Sequence, residues 1–423
     1  MHPLGILADD LTGACDCTAP FAARGARTAV WVRPGAALPV PGAWDLLAIN
    51  TDSRNVPEAE ARSRVRSAAL ALRQAGWPLG FKKVDSTLRG HLSAELEELL
   101  ALGVARAWLA PAFPLHGRTV EDGRLFVKGV PLGGTELSED GLAPIASGRI
   151  ADALGKPCEP IGYLPLGLYA QGAAALAHRV RFERARDCRV TVCDASEQAH
   201  LALLAQMLKA PEMAAPRELM VGSAGLAREL ARVLLPAGEA PRAAPPARTG
   251  LVLTVAGSRQ RVTRAQVDAL AKLPDACRVA LDPAGIGADR NTARLLDEAL
   301  ARLKTGQSEG ARVLVVSVDA GSAPEAGDPA IRARDIREAL GRLTALAVAA
   351  LAPGGLVLTG GDVALAALNA LGVAWLAVDG EVAPGIARAH LAEGAHRGLT
   401  VVTKAGGFGS DETLVEICRA LGA

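Results

Sequence analysis

The chain has 423 residues, half of them apolar and 22% charged, with a formal net charge of +1; this is globular composition, and at roughly 150 residues per domain it accommodates two or three domains. The near-neutral balance provides no global drive toward nucleic acid or acidic membranes, and 3% aromatic residues leave little for stacking on bases. Seven scattered cysteines make no disulfide framework, and Cys15 and Cys17 lack the second pair that a structural zinc site requires. The start, Met1-His2-Pro3 followed by the apolar stretch 4–8 and Asp9-Asp10, does not have the pattern of a signal peptide, and the apolar stretch 345–352 is far short of a membrane span. The expected setting is the cytosol, with a small-molecule partner rather than nucleic acid or membrane; homo-oligomerisation is left open.

Residues 4–8 form an apolar run ending in Asp9-Asp10-Leu11-Thr12-Gly13, which is how a buried parallel strand and its ligand-facing end read. A helix follows over 14–23. Either Asp10 or Thr12 can serve merely as its cap, so Asp10 rather than the acidic pair is taken as the site candidate. The stretch lacks GxGxxG and is not a dinucleotide fingerprint. Further strands are expected at 28–33 and 45–50, the latter ending in Thr51-Asp52-Ser53-Arg54, and a helix at 57–72 starts at Pro57. The next strand delivers Lys82-Lys83-Val84-Asp85-Ser86-Thr87-Leu88-Arg89-Gly90-His91 ahead of a helix at 94–100. This stretch offers amines, a carboxylate, hydroxyls and a guanidinium, a set suited to a polyhydroxylated anion. A solvated strand-to-helix loop with incidental charge is the competing reading, and for Asp85 a structural ion pair with Lys83 or Arg89. Another strand at 105–110 precedes Pro111-Ala112-Phe113-Pro114, and 121–134 reads as a β-hairpin. Strands at 187–193 and 218–221 and helices at 197–208 and 226–235 follow.

Residues 236–250 contain Pro236, Pro241, Pro245 and Pro246, the composition of an exposed boundary. The expected domains are therefore 1–236 and 250–423. In the second, strands at 251–256, 312–318, 356–359 and 399–403 alternate with helices at 263–270, 331–351, 363–371 and 412–421. Small-residue turns recur at strand ends: Gly257-Ser258, Gly360-Gly361-Asp362 and Gly406-Gly407-Phe408-Gly409. Such turns admit close backbone approach, and the helix behind each presents free N–H groups to phosphate oxygens. No GxxxxGK[ST] run exists, so this is not a P-loop. The expected fold class is α/β: two α/β domains with largely parallel sheets and an interdomain active-site cleft, one lobe for an acidic small molecule and one for a polyphosphate.

These blocks, together with Gly117-Arg118-Thr119, Val262-Thr263-Arg264-Ala265-Gln266, Gly380-Glu381-Val382-Ala383-Pro384-Gly385 and Lys404-Ala405-Gly406, resemble the four-carbon acid sugar kinase family over nearly the whole chain. The resemblance implies ATP-dependent phosphorylation of the C4 hydroxyl of threonate, erythronate or a 3-oxo-tetronate. It implies a sugar-acid site at Asp10, Arg54, Lys82, Lys83 and Asp85. It also implies an ATP site at Ser258, Gly360, Gly361, Asp362, Val363 and Gly406. In the working mechanism Arg54 and Lys83 hold the acid, with Arg89 beside them, and Asp85 or Asp10 orients or deprotonates the C4 hydroxyl. Amides near Gly360 to Asp362 and Gly406, Gly407 and Gly409 cradle the phosphates with Mg²⁺, whose ligands the sequence does not identify. The chain departs from the family pattern where Ala405 and Gly407 replace the usual Ser and Asn, where His116 replaces a frequent Gln, and in 133–149, which lacks a Ser-His pair. That loop is the expected source of any difference in substrate choice. A non-catalytic sugar-acid binding protein and an NAD-dependent hydroxy-acid oxidoreductase are the alternatives. The second requires a dinucleotide fingerprint that is absent.

Overall fold

The computed structural model describes residues 3–33, 38–135, 148–210, 213, 215, 217–235, 250–257, 260–287, 289–318 and 329–423. The chain folds as two compact units, one of residues 1–30 and 37–241 and the other of residues 31–36 and 242–423. Most of the proline-rich stretch 236–250, and positions 136–147 of the divergent loop, lie outside the described residues.

The first unit is built on a parallel sheet. Its strands are β1 (Leu4–Ala8), β2 (Thr28–Trp31), β3 (Leu46–Asn50), β4 (Leu79–Lys83), β5 (Arg106–Ala110), β9 (Ile161–Leu164), β10 (Val190–Cys193) and β11 (Glu218–Gly222). The spatial order is β2-β3-β1-β4-β11-β5-β10-β9. Every residue of β1, β3 and β5 is buried. These strands need continuous apolar runs because helices cover both sheet faces, and each fully buried Leu, Ile or Phe contributes about 1.5–3 kcal/mol. Register brings Ala8 level with Asn50 on one side and Lys83 on the other, and Lys83 level with Gly222. The polar segments after β1, β3 and β4 therefore leave the sheet side by side, at its carboxyl edge.

The hairpin expected at 121–134 is a three-stranded antiparallel sheet that begins earlier: β6 (Arg118–Glu121), β7 (Arg124–Val127) and β8 (Val130–Pro131). Its two-residue turns, Asp122-Gly123 and Lys128-Gly129, have positive φ at both positions (50° and 66°, then 50° and 80°). This is the turn hand that matches strand twist. Gly117, left-handed at φ 70°, closes the turn Pro114–His116 and starts β6 at Arg118.

In the second unit β12 (Val252–Ala256), β13 (Ala276–Leu281), β14 (Val313–Val318), β15 (Gly355–Thr359) and β18 (Thr400–Lys404) run parallel in the order β13-β14-β12-β15-β18. An antiparallel pair, β16 (Trp375–Ala383) and β17 (Ile386–Leu391), extends the sheet beyond β18. Ala256, Thr359 and Lys404 are level, so three adjacent strands end together. The sequence reading did not find β13, the β16–β17 pair or the helix Asp289–Ser308. Trp31, part of this unit, stacks on Trp375 with ring centroids 6.1 Å apart.

Helices Pro329–Leu351 and Gly361–Ala370 pack closely where Gly341 meets a backbone: an added Cβ would lie 2.7 Å from the Ala366 carbonyl oxygen. A backbone cannot yield as a side chain does. Gly341→Val is expected to destabilise the protein by about 1–3 kcal/mol, read as a lower urea midpoint. An unchanged midpoint would mean that the helix pair separates without cost.

Candidate functional site

The carboxyl edge of the first sheet gathers six charged side chains. Asp9, only 3% exposed, accepts two bonds from Arg54, at 2.8 Å from Nε and 2.9 Å from Nη2. The same Nη2 donates to Asp10 Oδ1 at 2.7 Å and lies 3.9 Å from Asp85 Oδ1. Asp10 is also the N-cap of helix α1 (Leu11–Ala22), accepting from Gly13 N at 3.0 Å and from Thr12 Oγ1 at 2.5 Å. The capping role thus falls on Asp10 itself, while Asp9, passed over in the sequence reading, supplies the bidentate grip on Arg54. Asp85 accepts from Arg89 Nε at 2.8 Å and Nη2 at 3.2 Å, and from the Thr87 hydroxyl.

The charges hold one another ionised. Burial disfavours the Arg54 guanidinium, but Asp10, Asp9 and Asp85 outweigh it and raise its pKa. Burial likewise pushes the Asp85 carboxyl up, yet Arg89 and Arg54 hold it well below the usual carboxylate range. At Asp10 burial is overcome by Arg54, Lys83 and the Thr12 hydrogen bond, and the pKa is lowered. Both carboxyls are therefore anionic through neutral pH. Glycine makes the cluster fit: a Cβ at Gly13 would lie 2.5 Å from Asp10 Oδ1 and 2.6 Å from Lys83 Nζ. Gly90, at φ 95°, brings its loop against Arg54.

The two lysines separate. They are consecutive on β4, so they face opposite sides of the strand. Lys82 is fully buried, pairs with Glu95 at 2.6 Å and donates to the Lys83 carbonyl. Glu95, on helix α3 (Leu92–Ala101), also accepts from the Ser53 hydroxyl, which meets Thr51 Oγ1 at 2.7 Å. Lys82 is thus part of a buried scaffold beneath the cluster and does not join it, contrary to the expectation from sequence. Lys83 is 5% exposed, and its ammonium has no hydrogen bond or ion pair among the described residues. Burial lowers its pKa, but Asp10 and Asp9 raise it further, so it is charged. The reading of 82–91 as a solvated loop is excluded, since residues 82–88 are all buried. The competing role foreseen for Asp85, an ion pair with Arg89, is present.

At the second sheet Gly360, at φ 98°, caps the helix Gly361–Ala370 and donates to the Lys404 carbonyl at 2.9 Å. Asp362 is half-exposed in that helix's first turn, 3.7 Å from Arg337. Val363 is buried against Gly257, where a Cβ would lie 2.5 Å from Val363 Cγ2; its side chain is a packing wedge. Ser258 lies outside the described residues. Gly406 and Gly407 are half-buried and Gly409, at φ 90°, is exposed. Two residues that the sequence reading did not single out hold this loop. Thr263 Oγ1 donates to the Gly406 carbonyl at 2.8 Å, and Gln266 Nε2 to those of Phe408 and Ser410 at 3.0 and 2.7 Å. Among the described residues no group of three His, Cys, Asp or Glu side chains is arranged to hold a metal, and no helix is long and apolar enough to cross a membrane.

Residues 4–230 match the model of a sugar-binding N-terminal domain and residues 253–414 that of a nucleotide-binding C-terminal domain. The D-threonate kinase of Bordetella bronchiseptica is 36% identical over 99% of this chain and 97% of its own length. The chain belongs to the four-carbon acid sugar kinase family. The D-erythronate kinase of Heliobacterium modesticaldum is 30% identical over 97% of this chain and 95% of its own length. A Salmonella typhimurium LT2 structure has the same fold, with a TM-score of 0.78 at 23% identity, covering 99% of this chain and all of that one. At family level the protein is thus an ATP-using sugar-acid kinase, with two α/β domains as expected.

The buried Lys82–Glu95 pair gives a test of the scaffold. Lys82→Met leaves the Glu95 carboxylate buried without its partner and is expected to cost about 3–5 kcal/mol in unfolding free energy. Lys82→Met with Glu95→Leu should recover most of that loss. Equal stability of the single variant and wild type, by urea unfolding, would show the pair to be dispensable.

Proposed function

We propose that this protein transfers the γ-phosphoryl group of ATP to the C4 hydroxyl of a four-carbon acid sugar, with D-threonate the first candidate. The observation that carries the reading is Lys83: a buried, charged ammonium with no hydrogen bond or ion pair among the described residues, beside Asp10 at Gly13. A buried cation of this kind is suited to an incoming carboxylate or hydroxyl oxygen. The identity to the D-threonate kinase, higher than to the D-erythronate kinase, supports the order of candidates.

In the reaction the O4–phosphorus bond forms as the bond from the γ-phosphorus to the bridging oxygen breaks, ADP leaves, and the O4 proton passes to a carboxylate or to water. Lys83 binds the acid's oxygens, and Arg54 presents its remaining edge while Asp9 fixes its plane. Both carboxylates accept internal hydrogen bonds, but Asp10 is the one held ionised by Arg54 and Lys83 together, whereas Arg89 grips Asp85 at both oxygens; Asp10 is therefore assigned to the C4 hydroxyl. Asp85 positions Arg89 and Arg54. Because phosphoryl transfer depends on placement and charge more than on base strength, a carboxylate of low pKa suffices at Asp10. Amides in the first turn of the helix Gly361–Ala370 and at Gly406, Gly407 and Gly409 receive phosphate oxygens, while the Gly360 N–H is held by the Lys404 carbonyl. Asp362, half-exposed at its glycine turn, is the side chain that fits Mg²⁺ held mostly by phosphates and water, and the ion would neutralise phosphate charge.

The test is ATP consumption with D- and L-threonate, D- and L-erythronate and 3-oxo-tetronates, and mass spectrometry of the products. One phosphorylated acid is expected. Asp10→Asn should lower kcat at least 100-fold, and Asp85→Asn should raise KM for the acid as well as lower kcat. No phosphorylated product across the panel would overturn the assignment and favour a sugar-acid binding protein. Near-normal turnover in Asp10→Asn would remove Asp10 from the reaction.

A further inference from the structure

Lys404, the last residue of β18, is fully buried. Among the described residues it forms no ion pair. Its ammonium instead donates to three main-chain carbonyls of the segment that follows: Ala405 at 2.9 Å, Phe408 at 3.1 Å and Gly406 at 3.4 Å. From the other side Thr263 Oγ1 takes the Gly406 carbonyl, and Gln266 Nε2 those of Phe408 and Ser410. The carbonyls at 405, 406, 408 and 410 are thus all consumed by internal donors. The N–H groups of Gly406, Gly407 and Gly409 make no hydrogen bond among the described residues. The loop is polarised, with its oxygens tied to the protein and its glycine amides left for an external acceptor.

We infer that Lys404, with Gln266 and Thr263, is a positioning residue that sets the orientation of the 405–409 main chain and so builds an amide cradle for nucleotide phosphate. The reading rests on the nucleotide role proposed above. Lys404 cannot itself reach a phosphate, since its ammonium is enclosed by the carbonyls it organises. Burial alone pushes this ammonium down to about 7, a penalty that the three carbonyl acceptors oppose by favouring the protonated, three-donor form. A methionine would fill the same space without that penalty, but it could not hold three carbonyls. The glycines at 406 and 407 suit the same purpose: with no side chain, the amides can meet an oxygen directly. In the family pattern an Asn side chain stands at the position of Gly407, so this chain relies more on the main chain for the contact.

The test is titration of the full-length protein with ADP by calorimetry, alongside steady-state kinetics. Lys404→Met and Gln266→Leu are each expected to weaken ADP binding at least tenfold and raise KM for ATP, with KM for the sugar acid within twofold of wild type. Amide hydrogen exchange in the peptide spanning 405–410 should accelerate in both. ADP affinity within twofold of wild type in the two variants would overturn the positioning role. A parallel loss of sugar-acid binding would also overturn it, by marking a general structural defect. Should Lys404→Met not fold, Gln266→Leu and Thr263→Val, which release the shared Gly406 and Phe408 carbonyls from the opposite side, carry the test. A wild-type protein that does not bind ADP would overturn the nucleotide reading itself, and this inference with it.

Discussion

The guanidinium of Arg54 is gripped along one edge by Asp9, shares a nitrogen with Asp10 and faces Asp85. Without this cation three carboxylates would remain at one buried sheet edge, and a buried charge lacking its partner costs several kcal/mol. The converse holds as well, because Arg54 is buried and relies on them. The mutual dependence explains several neighbours at once. Gly13 keeps the space between Asp10 and Lys83 clear, Gly90 lets the loop after β4 close on Arg54, and Lys82 with Glu95 anchors the strand and helix that carry them. The cluster is a charge template in which Lys83 is the cation without a hydrogen bond or ion pair among the described residues.

Under the proposed function the second unit addresses its ligand differently. There the phosphate would meet main-chain amides at the glycine turns after β15 and β18, two adjacent parallel strands that end level. Main-chain amides recognise phosphate without sequence-specific side chains, which is why substitutions such as Ala405 and Gly407 are compatible with the same chemistry. In that proposal the precision comes from side chains that hold carbonyls, Lys404, Thr263 and Gln266, rather than from side chains that touch ligand. The carboxyl edge of the first sheet, by contrast, presents side-chain charge, so the specificity of the proposed sugar-acid site is vulnerable to single substitutions.

Much of the fold was legible because buried parallel strands leave unbroken apolar runs, as at Leu4–Ala8, Leu46–Asn50 and Gly355–Thr359. The clustering of Asp10, Arg54, Lys83, Asp85 and Arg89 was legible as well, because in such sheets polar residues at strand ends converge. Four features were not. The choice between Asp9 and Asp10 depends on which one caps α1, and neighbouring acids do not reveal that. The burial of Lys82 was available in principle from strand alternation, but its partner Glu95 lies in a helix whose charge pattern reads as ordinary. The β16–β17 pair was hidden by Gly380 and Pro384, which read as loop although Pro384-Gly385 forms the turn between two strands. Lys404 reads as one more basic residue beside a glycine run, and its contacts with three carbonyls are not visible in the sequence.

The account predicts a particular bond in the product, between phosphorus and O4 of a four-carbon acid sugar. The most direct measurement is phosphorus–proton correlation NMR on the product formed from ATP and D-threonate, or from whichever acid of the panel is consumed. Coupling of the new phosphorus signal to the two C4 protons is the predicted result. Coupling to a C2 or C3 proton, or release of inorganic phosphate without any phosphorylated acid, would contradict the account.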